Sequence, residues 1–219
     1  MIKKISPLER MLAISILFNM LLLIVRFYHT KELVYGFYVW NTFLAVLPLL
    51  FSRSLVKQPA YNLKSILLFI CWLAFFPNAP YMITDLFHYV EIPPVPQWFD
   101  LLIVTTAAWN GLLLGIISLM QVEHFLSAHM KAIWVKMIVM ISFMLCGYGV
   151  YIGRFLRFNS WDAVTNPGKL IYTFAHDVLR PQQHVSTWAF TVLFGTMFGI
   201  IYFTLQQLQV ERKAAIPSL

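Results

Sequence analysis

The sequence predicts an all-α fold, a polytopic transmembrane helical bundle of about six spans. Of its 219 residues, 60% are hydrophobic and only 11% are charged, and the mean hydropathy is +0.72. A soluble domain usually carries about 25% charged residues, so this chain has too few charges to coat a globule in water. Its apolar runs of about 20 residues are long enough to cross a bilayer, where backbone polar groups must bond within their own segment. That requirement selects helices.

Apolar windows predict the spans at 8–27, 34–52, 61–76, 98–120, 132–156 and 186–208. An even number of spans places both termini on one side. Ten of the 16 Lys and Arg residues flank the side of the termini and six flank the other, which predicts cytoplasmic termini. No linker or low-complexity tract divides the chain, so residues 1–219 are predicted to form a single integral membrane domain.

The formal net charge of +7 raises the question of an anionic partner. No Lys/Arg-rich stripe or nucleic-acid motif accompanies this charge, so nucleic acid is excluded as a partner. Basic residues that flank apolar spans instead point to the lipid bilayer and to anionic lipid headgroups.

The third span ends in a segment broken by prolines, PNAPYMITDLFHY. A short interfacial helix is predicted near 84–91, and Tyr81, Asp85 and His88 recur at spacings of four and three on one side of it. We predict Asp85 and His88 as a catalytic acid/base pair, because an imidazole titrates near neutral pH. Asn78 and Tyr81 are predicted to bind the ligand.

The fifth span runs out through GRFLRFNSWD. If the helix continues there, Arg154 and Arg157 project together near the outer headgroup level, and paired guanidiniums match the geometry of phosphate or carboxylate. Asn159 and Asp162 complete the predicted ligand-binding set. The alternative is that the arginines favour the helix dipole and reach water without any ligand. Their position on the side where Lys and Arg are depleted favours an ion pair or a bound anion.

An amphipathic surface helix is predicted near 168–179, ended by Pro181. Its apolar stripe consists of Ile171, Phe174, Ala175 and Val178. Its polar side is predicted to carry Lys169, His176, Asp177 and Arg180. Such a helix would lie on the outer surface of the membrane like a lid.

Both polar segments leave the membrane on the same side, so we expect their ionisable groups to converge: Asp85, His88, Arg154, Arg157, Asn159 and Asp162. A divalent cation on Asp85, His88 and Asp162 is a variant of this site. No complete metal-binding motif occurs, and the sequence therefore leaves both the metal and the cofactor open.

The strings PNAPYMITDLFHY and GRFLRFNSWD resemble a family of bacterial integral membrane proteins known only as domain of unknown function family 1361. The resemblance covers most of the chain. It implies a multi-pass protein of the bacterial plasma membrane. It implies no activity, substrate or site residue.

Three functions stay open at this point. The first is binding or processing of an anionic, phosphate-bearing lipid or envelope precursor at the extracytoplasmic face. The second is a non-catalytic assembly or scaffold subunit, in which the same charges pair with one another. The third, a small-solute or ion transporter, is disfavoured because the middles of the spans are mostly apolar and no inverted repeat is visible. The sequence does not decide whether the chain is an enzyme or whether it oligomerises.

Overall fold

The structure is a computed structural model that describes residues 7–90, 93–158 and 162–215. No strand occurs in these residues. Their α-helices are α1 (Pro7–Thr30), α2 (Phe37–Val56), α3 (Leu63–Phe75), α4 (Asn78–Tyr81), α5 (Gln97–Ser127), α6 (Ala132–Phe155), α7 (Asp162–Thr165), α8 (Pro167–Leu179) and α9 (Val185–Ala215). Two 3₁₀-helices cover Met82–His88 and Pro181–Gln183.

Six segments of the described chain are long and apolar enough to cross a membrane, which confirms the predicted number. They are Pro7–Thr30, Phe37–Val56, Leu63–Phe87, Gln97–Ser127, Ala132–Phe155 and Val185–Arg212. Large apolar side chains stand exposed along them, with Leu17 67% and Leu193 71% exposed. A hydrocarbon surrounding is the medium that makes such surfaces stable. The chain is a multi-pass membrane protein.

The first compact unit, Met1–His129, is organised around the long helix α5. Ser15 of α1 donates a hydrogen bond to the side-chain oxygen of Asn110 at 2.6 Å, and Asn19 donates to the carbonyl oxygen of Ile103 at 2.8 Å. Later residues of α1 therefore meet earlier residues of α5, and the two helices are antiparallel. These bonds pair the Ser15 hydroxyl and the Asn19 amide N–H, donors that would be costly to leave unpaired in lipid.

The break after α3 is fixed by close contact with α5. Trp72 is fully buried and donates its indole N–H to the hydroxyl of Ser118 at 3.2 Å. Beyond the break, the backbone of Gly111 approaches the carbonyl oxygen of Ala79 so closely that a Cβ would collide with it. Glycine is required there because it has no side chain to displace.

The second compact unit, Met130–Leu219, is built on the crossing of α6 and α9. A Cβ at Gly147 would collide with the backbone of Thr191, and a Cβ at Gly195 would lie 2.7 Å from the carbonyl oxygen of Phe143. One glycine from each helix thus lets the two backbones approach, which strengthens their van der Waals packing in a medium that offers no hydrophobic driving force between helices.

Candidate functional site

The segment after α3 places the predicted acid Asp85 inside the first unit. Asp85 lies in the 3₁₀-helix Met82–His88 and is only 1% exposed. Asn41 of α2 donates a hydrogen bond from Nδ2 to Asp85 Oδ2 at 3.0 Å. A carboxyl group withdrawn from water needs such donors. Asn41 therefore holds the Asp85 carboxylate, and it was not among the residues predicted for the site.

The interfacial helix predicted near 84–91 starts earlier than expected and has a tighter geometry. It is the 3₁₀-helix Met82–His88, which follows α4 directly, and the Met82 amide donates to the Ala79 carbonyl three residues back. With three residues per turn, positions 85 and 88 project from the same side of this helix. The pairing of Asp85 with His88 stays a prediction, because the His88 side chain lies outside the described part of the chain.

The other two residues predicted in this segment flank the same turn. Asn78 begins α4 and donates from Nδ2 to the Phe75 carbonyl at 2.8 Å, so it ties α4 to the end of α3. Tyr81 ends α4 and is half-buried. Both belong to α4, which directly precedes the 3₁₀-helix that carries Asp85 in the first unit.

The predicted arginines occupy the end of α6, in the second unit. Arg154 is half-buried in the last turn, whereas Arg157 is exposed and has a φ of 57°. This left-handed conformation does not continue a helix, so α6 ends at Phe155 and the helical row does not extend through Arg157. Asp162 begins α7 and is half-buried. Asn159 lies outside the described residues.

Helix α8 confirms the predicted amphipathic helix near 168–179 and adds a cation to this end of the unit. The Lys169 ammonium lies 5.0 Å from the centroid of the Phe158 ring, next to Arg157 in the chain. The apolar side chains Ile171 and Phe174 are exposed, the former by 67%. Cations and an uncovered apolar helix face therefore occur together.

Asp177 of α8 was expected on the polar side of that helix, and this prediction is wrong: it is 3% exposed. Two groups contact its carboxylate, and a third donor holds its backbone. The Tyr148 hydroxyl donates to Oδ2 at 3.0 Å, the Trp188 indole N–H donates to the backbone carbonyl at 2.9 Å, and His184 Nδ1 lies 3.1 Å from Oδ1. A buried carboxylate with this many partners is a built polar site.

His176 joins the same cluster, which sequence reasoning missed. His184 Nε2 lies 2.9 Å from His176 Nδ1, and the two rings meet nearly at right angles. The contact arises because Pro181 stops α8 and the 3₁₀-helix Pro181–Gln183 returns the chain to it. The available signal was a His-Asp pair at a helix end, followed by a helix-stopping proline and a second histidine.

A second missed cluster is the buried ion pair of the first unit. Arg26 Nε lies 2.7 Å from Asp100 Oδ1 and Nη2 lies 3.1 Å from Oδ2, with the two side chains 2% and 0% exposed. Arg26 is one of the six Lys and Arg residues that the sequence places on the side opposite the termini. The guanidinium also lies over the ring of Tyr35. The pKa of Tyr35 is raised, first by burial and then by the Asp100 carboxylate, and the charge of Arg26 offsets part of this rise. A cleft of about 250 Å³, lined mainly by apolar side chains, adjoins this pair.

The expected convergence of the two polar segments stays a prediction. Asp85 belongs to the first unit, whereas Arg154, Arg157 and Asp162 belong to the second. The same holds for the variant cation site on Asp85, His88 and Asp162.

Comparison with known proteins identifies the family but no activity. No curated protein and no solved structure matches the chain. A family described as protein of unknown function (DUF1361) matches residues 40–201, which include Asp85, both arginines and the histidine cluster. This match spans well over half of the sequence, and the chain belongs to the DUF1361 family.

Proposed function

We propose that this protein binds an anionic, phosphate-bearing lipid or envelope precursor at the extracytoplasmic face of the bacterial plasma membrane. The observation that supports this most directly is the position of Lys169, which brings α8 and its uncovered apolar face to the arginine end of α6. A lipid with an anionic headgroup needs these two kinds of surface side by side.

The cations suit the headgroup. Arg157 is exposed at the end of α6, Arg154 lies one turn earlier, and Lys169 lies beside the residue that follows Arg157. A guanidinium can donate two parallel hydrogen bonds to a phosphate, while an ammonium acts as a point charge. Together they can hold a phosphate without a separate anion-binding loop.

The apolar face suits the acyl chains. Tyr172 and Leu179 are exposed by 71% and 79%, alongside the exposed Ile171, Phe174 and Val178. In water this stripe would be covered by protein, whereas at the membrane interface it rests on the boundary between headgroups and acyl chains. Helix α8 would therefore lie in the layer where a lipid ligand presents its phosphate.

Asp85 and His88 serve in this proposal as the acid/base pair that would process a bound precursor. The burial of Asp85 and its bond from Asn41 support a carboxyl group held in a fixed position. The extracytoplasmic assignment rests on the distribution of Lys and Arg between the two sides.

Binding is tested with the purified protein in detergent, titrated with short-chain phosphatidic acid and, for comparison, short-chain phosphatidylcholine. We expect saturable binding of phosphatidic acid only, weakened about tenfold or more by combining Arg157→Gln with Lys169→Gln. A charge-assisted hydrogen bond contributes about 1.5–3 kcal/mol, and about 1.4 kcal/mol corresponds to a tenfold change in affinity. Lys57→Gln, an exposed cation of the first unit, is the matched control and should bind normally. Equal affinity of all three proteins would contradict the proposal.

The alternative is a non-catalytic assembly subunit, and the closed contacts of the first unit favour it. Arg26 and Asp100 form a buried ion pair through two hydrogen bonds, and Asp85 accepts a bond from Asn41. Exchanging Arg154 and Asp162, both half-buried, separates the two functions. If the pair is structural, the exchange restores thermal stability and function together relative to either single change; an anion-binding arginine would not recover phosphatidic acid binding.

A further inference from the structure

Beyond lipid binding, we propose that His176, Asp177 and His184 form a binding site for one divalent transition-metal ion of the zinc type. Each residue presents one ligating atom, and these atoms lie within 4.8 Å of one another. Two imidazoles with a carboxylate suit Zn²⁺, whereas Mg²⁺ and Ca²⁺ prefer ligand sets made of oxygen. None of the three residues is among those that the sequence predicts for the functional site.

The distance between the imidazoles fits an ion after a small adjustment. His184 Nε2 and His176 Nδ1 are 2.9 Å apart. Two nitrogens bound to tetrahedral Zn²⁺ at about 2.0–2.1 Å are separated by roughly 3.3 Å. The rings must therefore open by a few tenths of an ångström, and both are only half-buried, which leaves room for this movement.

Asp177 supplies the orientation that a metal-binding imidazole needs. Its Oδ1 lies 3.1 Å from His184 Nδ1, which places the ring proton on Nδ1 and turns the lone pair of Nε2 toward His176. A carboxylate in this position fixes the tautomer of a ligating histidine and increases its basicity. Its negative charge also compensates the charge of the ion, and it lies close to both imidazoles.

Asp177 is in turn held in place by groups outside the ligand set. The Tyr148 hydroxyl donates to Oδ2, and the Trp188 indole donates to the Asp177 backbone carbonyl. The rings of Tyr148 and Trp188 stack on each other, and Phe174 meets Tyr148 edge-on. These aromatic rings keep the carboxylate out of water. Away from water the dielectric constant is lower, so the attraction of the carboxylate for a cation is stronger.

The site is tested with the full-length protein in detergent, with its purification tag removed and its metals stripped by chelation. Titration with Zn²⁺ alone, followed by calorimetry and elemental analysis, should show one ion per chain, and Co²⁺ should give the intense visible absorption of a tetrahedral site. His176→Ala and His184→Ala should each weaken binding about a hundredfold. Asp177→Asn, which keeps the volume of the side chain, should weaken it about 10–100-fold. His124→Ala, an exposed histidine of α5, is the matched control.

The titration uses metal without lipid, so its outcome is independent of phosphatidic acid binding. Substoichiometric binding, or binding unchanged by both histidine substitutions, overturns the metal site and leaves the cluster a hydrogen-bonded structural network. If Asp177→Asn fails to fold, the two half-buried histidine variants still decide the result.

Discussion

Arg26 and Asp100 are almost completely buried, and each supplies the charge that the other requires. Asp177 shows the same principle with a neutral donor, since the Tyr148 hydroxyl donates to its carboxylate from another helix. In both places the partner comes from another helix. The consequences of a substitution therefore depend on what the change leaves behind, and not only on the group removed.

Arg26→Met is expected to destabilise the protein by about 3–5 kcal/mol, because it leaves the Asp100 carboxylate buried and unpaired. Combining it with Asp100→Leu should recover most of that loss, since two apolar side chains suit the same surroundings. Thermal unfolding in detergent measures both variants. Lys31→Met, an exposed cation after α1, should change little. A double variant as unstable as the single one would show that the pair does more than neutralise itself.

At the scale of helices, packing is controlled by a few positions where backbones nearly touch. The crossing of α6 and α9 depends on Gly147 and Gly195, whereas a Cβ added to Gly168 at the start of α8 would meet no neighbouring atom within 4 Å. A side chain larger than that of glycine is thus excluded at Gly147 and Gly195 but has room at Gly168. Sequence spacing alone does not distinguish them.

We expect Gly147→Leu or Gly195→Leu to destabilise the second unit by more than about 1–3 kcal/mol, the usual cost of overpacking, because the clash is with backbone. Gly168→Ala should be neutral or slightly stabilising, since alanine is the better helix former by about 0.5–1 kcal/mol. Melting temperatures in one detergent provide the comparison. Comparable melting temperatures for all three variants would rule out a close crossing of α6 and α9.

How far the sequence predicts these elements depends on the surrounding medium. The spans follow from length and apolarity, which lipid imposes directly. The end of α5 was missed because Glu123 and His124 interrupt the apolar run, yet Val122 and Phe125 are buried and the helix continues. The sequence predicted helix α8, but it did not predict which side of the helix faces the protein. Its apolar side is the one left uncovered by protein, and the polar Asp177 turns inward.

The candidate site was predictable only in part, for a related reason. Asp85 and the arginines stand in recognisable polar strings, so their locations followed from the sequence. The pairs of residues that contact each other could not be predicted in this way. Arg26 and Asp100 are 74 positions apart, and their contact depends on how α1 and α5 pack. His176 and His184 are eight positions apart, and their contact depends on the turn between α8 and α9.

For the whole molecule, the six spans make a prediction about the two sides of the membrane. Three spans separate Lys57 from Lys169, and both lysines are exposed. In a chain whose Cys71 and Cys146 are replaced by alanine, a cysteine at one of these positions should react with an impermeant thiol reagent in intact cells, and a cysteine at the other should not. Labelling at Lys169→Cys supports cytoplasmic termini, and labelling at Lys57→Cys inverts the orientation. Labelling at both or neither contradicts three intervening spans.

The pairing of α1 with α5 also has a consequence for how the protein is made. Arg26 leaves the ribosome 74 residues before Asp100, and Asn19 precedes its acceptor Ile103 by 84. A newly inserted α1 therefore waits in the bilayer with its guanidinium unmatched while two further spans are synthesised. An arginine in a membrane helix costs up to about 2.5–3.5 kcal/mol at the centre, and less near an end where it can reach water. A nascent chain truncated before α5 would keep this defect exposed to membrane quality control, so biogenesis of the first unit is completed by its fourth span.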